Sequence, residues 1–362
     1  MKLTLKRHIK ITRYSFMMKR IPAKSPYAAQ AYTLVCDLQQ RFVTKLNAIS
    51  KKNGNGKPYE ATEWFRDDGK HGGGVRFMAT DESLFNRASV NTSQVQYDDD
   101  DAKQLASASA ISTIIHPRNP LAPSVHIHIS WTELKKGSGY WRVMADLNPS
   151  IENSADKNLF ANKLKLAAPQ QYTEAAAQGD RYFFIPALGR HRGITHFYLE
   201  NYSSGNFDAD LKMARTVGET AIDTYCDILS AAIEKRTSPT EADYKKQLDY
   251  HTLYFFQVLT LDRGTTSGLL VHDQNDVGIL ASLPAHVNRT LLASWKQKMQ
   301  APQDLLLERM MACLEEQAVC PVEDNTKQAL ANCVRKHYQA HPKAIDMQAS
   351  GNTVPPTVNN HI

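Results

Sequence analysis

The segment His116–Trp131, HPRNPLAPSVHIHISW, carries Pro117, Pro120 and Pro123 in the short link between two β-branched runs, ASAISTIIH and SVHIHISWTEL. Proline fixes φ and removes a backbone donor, so this link is a rigid turn. Strands joined by so few residues lie antiparallel, because a parallel crossover needs roughly a dozen residues or more. After the glycine-containing break KKGSG the run GYWRVMADL completes a further hairpin.

Around these strands the spacing of apolar residues predicts helices. Ala31, Val35, Leu38, Phe42 and Leu46 recur at three- and four-residue steps, predicting a helix over 25–50, and a longer one is predicted over 208–236. RYFFIPAL and GITHFYLENY read as a hairpin, while HTLYFFQVLTL, GLLVH and VGILASL read as further strands. Beyond Leu283-Pro284 helices are predicted up to Tyr338. Helices at both ends of a set of hairpin-linked strands define an α+β fold with a mainly antiparallel sheet.

The first 36 residues contain no Asp or Glu, which gives a basic leader over 1–24, expected to be disordered. A single domain is expected over 25–340, followed by a flexible, polar, proline-containing tail over 341–362. The net charge of +6 comes without a basic stripe interleaved with aromatics, so nucleic acid is not an expected partner. Five cysteines without a CxxC pair argue against a disulfide framework or a zinc site and favour a reducing cytoplasm. No run approaches the roughly 18 apolar residues of a membrane span.

Three places concentrate chemistry. In an extended strand His126 and His128 share one face, while Val125, Ile127 and Ile129 take the other. The turn prolines bring His116 towards His126. HIHISWTE also imitates half of a cupin metal motif, with His126, His128, Glu133 and His196 as the ligands of that alternative. Asp262-Arg263 before Gly264 reads as a strand end presenting two charges, or as a salt-bridged turn. Asp146, in ADLNP, is a similar carboxylate.

Taken together, these segments resemble the oxygen-dependent coproporphyrinogen III oxidase family. The resemblance rests on Trp64 with Gly72-Gly73-Gly74, LFNRASVNTSQV from Leu84, SxxxHPRNPxxPxxH from Ser112 to His126, DLxP from Asp146, RGI from Arg192, DRGTxxGL from Asp262 and SLP from Ser282. It implies a flat antiparallel sheet flanked on both faces by helices, in a homodimer. It also implies oxidative decarboxylation of coproporphyrinogen III propionates to vinyl groups, a step of heme biosynthesis, or the same chemistry on a related pyrrolic carboxylate. The oxidant is O2, with no organic cofactor and no metal.

By the same resemblance Asp262 is the carboxylate that accepts pyrrole N–H bonds, with Asp146 second, and Arg263 pairs with a propionate. His126 is the proton donor, His116 a second catalytic histidine, and Ser112, Asn119, His128 and Ser130 are substrate contacts. The chain departs from the family pattern at His128-Ile129-Ser130, where Asn-x-Arg is usual, and at several arginine positions. Arg142, Arg190 and His196 are candidates to replace the missing cations. The departures keep open a second function, a non-catalytic tetrapyrrole-binding protein on the same fold.

Overall fold

The computed structural model describes residues 19–361 except Ser138. Seven strands form one sheet: β1 (Glu60–Phe65), β2 (Gly72–Met78), β3 (Phe85–Gln96), β4 (Leu105–Pro117), β5 (Ser124–Leu134), β6 (Tyr140–Asn148) and β7 (Thr195–Tyr202). They lie in sequence order, each pair antiparallel. The proline link joins β4 to β5, as its rigidity and length require.

Alternation along the strands sorts side chains to two faces. Val125, Ile127 and Ile129 of β5 and Ile111 and Ile115 of β4 join a core made with α1 (Pro26–Asn53) and α4 (Phe207–Lys235). α2 (Ser154–Ala167) packs beside them. On the opposite face lie α5 (Glu241–Thr260), α6 (Arg263–Val271) and the C-terminal helices, whose apolar residues form a second core with Ile114, while Tyr182 and Phe183 at the end of α3 (Tyr172–Phe183) pack with Met144 and Tyr198. The sheet is thus covered by helices on both sides, and the α+β class holds.

The glycine run has a steric cause. Gly72 holds φ +91°, and a Cβ on Gly74 would overlap Thr92 O and crowd Trp64 Nε1, so the middle strand of β1–β2–β3 approaches its neighbours with no side chain to spare.

Several expectations are corrected. HTLYFFQVLTL is not a strand but the second half of α5, begun by a Thr240–Asp243 capping box. From Tyr250 to Thr260 every residue is buried, so the helix lacks the polar face that would have given it a helical period. GLLVH ends α6, and VGILASL forms short helical turns from Asp276 to Ser282. RYFFIPAL closes α3 and pairs only locally with Arg190–His191, while GITHFYLENY supplies β7, the partner of β6.

The tail is also corrected. Pro342–Met347 is a 3-10 helix, Ala349 N donates to Leu261 O at 2.9 Å, and Asn360 is buried. Its groups look solvent-seeking in sequence, yet Gln348 Nε2 donates to Thr266 Oγ1 and Tyr338 OH and Gly351 N to Glu200 Oε2. At the other end, residues 19–24 run along the sheet, with Ile21 N donating to Gly69 O and Ala23 N to Gln94 Oε1. The rest of the expected leader, 1–18, lies outside the described residues.

Candidate active site

Between the second face of the sheet and α6 lies a cavity of about 260 Å³, with Pro355, Thr357, Asn360 and His361 of the C-terminal segment at its wall. Strand parity delivers His126, His128 and Ser130 of β5, Ser112 of β4 and Arg142 of β6 to it, and α6 delivers Asp262. Ser112 sits directly opposite His128 across β4 and β5.

His126 is held from beneath. Across β5 and β6 it faces Asp146, whose Oδ1 lies 3.5 Å from His126 Nδ1. Arg192, fully buried, donates from Nη2 to Asp146 Oδ2 at 2.9 Å and contacts His126 Nδ1 at 3.3 Å. Its guanidinium lies over the rings of Phe183 and Tyr254 at 4.4 and 4.9 Å. Where Nδ1 accepts from Arg192, the neutral ring carries its proton on Nε2 and turns a donor to the cavity; where Nδ1–H faces Asp146 Oδ1, Nε2 is an acceptor. Burial, only partly opposed by Asp146, lowers the His126 pKa. His128 is pushed down to about 3 by burial and by Arg142, so both imidazoles are neutral at pH 7.

Asp262 caps the N-terminus of α6, accepting from Thr265 N at 2.7 Å through Oδ1 and from Tyr182 OH at 3.0 Å through Oδ2. Burial opposes its charge, but His126, the Thr265 N–H and two arginines outweigh burial and keep the pKa below the ordinary carboxylate value. Each carboxylate oxygen keeps acceptor capacity for a ligand N–H.

Arg142 reaches the same cavity. It pairs with Glu200 Oε1 at 2.6 Å and lies over Tyr198 at 5.5 Å. Glu200 Oε2 in turn accepts from Gly351 N at 2.9 Å, tying the C-terminal segment to the site.

Other sequence candidates sit elsewhere. His116 is fully buried below the cavity, one nitrogen on Ser124 Oγ at 2.9 Å and the other on Ser282 O at 3.2 Å, with no nitrogen left for chemistry. Asn119 braces the proline turn, accepting from Leu121 N and donating to Arg236 O. Asp146 lies beneath His126, outside the cavity wall. Arg263, as the first residue of α6, turns away and donates to the carbonyls of Ile345, Gln348 and Ala349, so it anchors the tail and cannot meet a propionate there.

The cupin alternative fails on strand parity: Glu133 projects to the opposite face and accepts from Ser25 Oγ at 2.8 Å. His196 bonds Asp180 and Arg192 O below the site, and no metal-ready cluster of His, Cys, Asp or Glu occurs among the described residues. Of the replacement cations, only Arg142 reaches the cavity, while Arg190 is exposed on another surface. Tyr182 and Glu200 join the site unannounced, while Arg192 opens the RGI motif without having been assigned a role. Parity with Asp146 on β6 is the signal that points to Arg142; no local signal marks Tyr182 or Glu200.

Fold and site thus define an antiparallel sheet that carries on one face a cavity with a buried carboxylate and a braced histidine. The chain matches the family model described as coproporphyrinogen III oxidase over residues 30–317, and it belongs to that family. Among curated relatives it is 28% identical over 271 residues to the mitochondrial oxygen-dependent coproporphyrinogen-III oxidase of Rattus norvegicus, covering 68% of this chain and 59% of the rat protein. The Homo sapiens counterpart is 25% identical over 287 residues, covering 71% and 60%. The oxygen-dependent coproporphyrinogen-III oxidase of Rickettsia akari is 28% identical over 243 residues, covering 62% and 83%. The matched part therefore spans about three-fifths of the length of the mammalian relatives.

Proposed function

We propose that this chain is an O2-dependent oxidative decarboxylase of a propionate on a reduced pyrrole, with coproporphyrinogen III, the heme precursor, as the reference substrate. The observation that carries the reading is one cavity holding the Asp262 carboxylate and His126, each fixed by buried partners. The reaction balances without a further cofactor: R–CH2–CH2–COO⁻, O2 and one proton give R–CH=CH2, CO2 and H2O2. The substrate side chain loses two electrons and O2 gains them.

Asp262 accepts the pyrrole N–H and helps draw off that proton, which raises ring electron density for attack on O2. His126 directs Nε2–H at the reacting side chain and serves proton transfer, as a neutral imidazole can polarise an oxygen. Arg142 receives the carboxylate, and Ser112, His128 and Ser130 line the bound ring. A homodimer is part of this reading, as the motif resemblance implies; sedimentation as a monomer at micromolar concentration would count against that part.

The test is to supply coproporphyrinogen III and O2 and to measure O2 uptake, CO2 and vinyl product. Turnover that falls by about 10²–10⁴ in Asp262→Asn is expected for a proton-transfer carboxylate. Absence of all three signals with this substrate and with simpler pyrrole propionates would sink the reading. A second reading, a non-catalytic pyrrole-binding protein, rests on the pairing of Arg142 with Glu200, which leaves little free positive charge for a substrate. Binding without turnover would favour it.

A further inference from the structure

One wall of the cavity comes from a part of the chain outside the family match: Pro355, Thr357, Asn360 and His361 close it, whereas the matched residues end at 317. This wall is a short turn, Thr357–Asn360, reached through the exposed residues 352–354 that follow the anchored Gly351. Its seat is weakly bonded. Among the described residues, the hydrogen bond tying it to the rest of the chain links Tyr97 OH and His361 Nδ1 at 3.4 Å. Asn360 is 2% exposed, yet neither its Nδ2 nor its Oδ1 completes a hydrogen bond, although the Tyr140 phenol approaches it. A buried amide left unpaired works against the seated form. The surroundings suit an acidic ring. Trp64, Val95 and Leu105, which line this end of the cavity, gather around Tyr97. Arg66 and Lys103 lie over the Tyr97 ring at 5.5 and 5.8 Å, and His361 meets it edge-on at 5.9 Å. The volume of about 260 Å³ is below the ~300–1,000 Å³ of pockets that enclose drug-sized ligands, so a four-ring macrocycle and the seated turn cannot share the site.

We infer that residues 355–361 are a displaceable plug over the cavity, and that Arg66 and Lys103, which flank it, receive carboxylates of an acidic tetrapyrrole once it swings out. This rests on the pyrrolic reading above and adds to it a route of entry and two outer contacts. With the plug seated, Arg142 is the sole arginine or lysine among the described lining residues, and Glu200 already holds it. With the plug out, the Arg66 guanidinium and the Lys103 ammonium border the apolar end and pair with propionates at the rim of the ring. Asp262 and His126 keep the inner end. The exposed residues 352–354 supply the hinge, so the anchor at Gly351 stays in place while the turn moves.

The experiment is a fluorescence titration of the full chain with coproporphyrin III and mesoporphyrin, which carry four and two carboxylates. Tyr97→Phe keeps the ring but frees the plug, and should tighten coproporphyrin by up to about tenfold, the worth of one hydrogen bond. Asn360→Leu removes the unpaired amide, seats the plug more firmly and should weaken coproporphyrin by about tenfold. A fixed wall, or an Asn360 that serves as a ligand contact, gives no such opposition: both variants weakening binding, or neither changing it, overturns the plug. Hydrogen exchange over 352–361 should rise at saturating coproporphyrin, and added protection there also overturns it. Arg66→Gln and Lys103→Gln should each weaken coproporphyrin by about tenfold and mesoporphyrin less. Because Arg66 also bonds Val271 O, the half-buried Lys103 is the safer variant for folding. An equal loss for both ligands, or none, overturns the outer contacts while the pyrrolic reading stands. If neither porphyrin binds the wild type or Tyr97→Phe, the pyrrolic reading itself fails and takes this inference with it.

Discussion

Asp262 has two duties that one substitution separates. Its Oδ1 caps α6, and asparagine caps a helix about as well as aspartate, so Asp262→Asn is expected to melt within a few degrees of the wild type. The lost negative charge removes the pyrrole acceptor, hence the fall in turnover predicted above. A variant that lost activity and stability together would assign Asp262 to the cap alone. Arg192 is the counterpart beneath His126: Arg192→Met leaves Asp146 charged, buried and unpaired, and should cost about 3–5 kcal/mol in urea unfolding. That His126 and Asp262 share one cavity was legible from the motifs, because HPRNPxxPxxH and DRGT keep both residues. His116 and Arg263 sit in the same motifs yet serve packing and anchoring, which no residue type announces.

At the scale of elements, the C-terminal segment is fastened by the first turn of α6. Arg263→Ala removes donors from the carbonyls of Ile345, Gln348 and Ala349 at a cost of about 1–3 kcal/mol. The expected outcome is faster tryptic cleavage at the exposed Lys343, with the sheet core intact; unchanged cleavage would show that Gln348 and Gly351 suffice. At the other wall, Gly74→Ala forces a methyl into Thr92 O and should destabilise the chain by about 3 kcal/mol, read as a lower urea midpoint. Elements with a clear period, α1, α4 and β3 to β6, could be read directly. α5 could not, since a helix buried on every side and a buried strand give the same apolar run.

Over the whole molecule, six histidines bind pH to stability. Burial lowers the pKa of His116, His126, His128, His251, His337 and His361, to about 3 for His128 and His251 and to about 4 for His337 and His361. The unfolded chain therefore binds more protons than the native one below the ordinary histidine value of about 6.5. Stability is full above that pH and falls as pH drops through 6 and 5, by up to about 1.4 kcal/mol per pH unit for each histidine. Urea midpoints at pH 7.5, 6 and 5 check this, and a flat profile would contradict it. Asp262, with its lowered pKa, adds a loss only at more acid pH, below the ordinary carboxylate value.

The sequence by itself determined the antiparallel sheet, its two-faced alternation and the motifs that carry His126 and Asp262, because these depend on spacing and turn chemistry along neighbouring residues. Tertiary structure alone decided that Arg263 faces the tail, that Glu200 shields Arg142, and that the C-terminal segment walls the cavity. Those are meetings between residues far apart in the chain, set by how helices pack across the sheet. Local pattern holds no record of them.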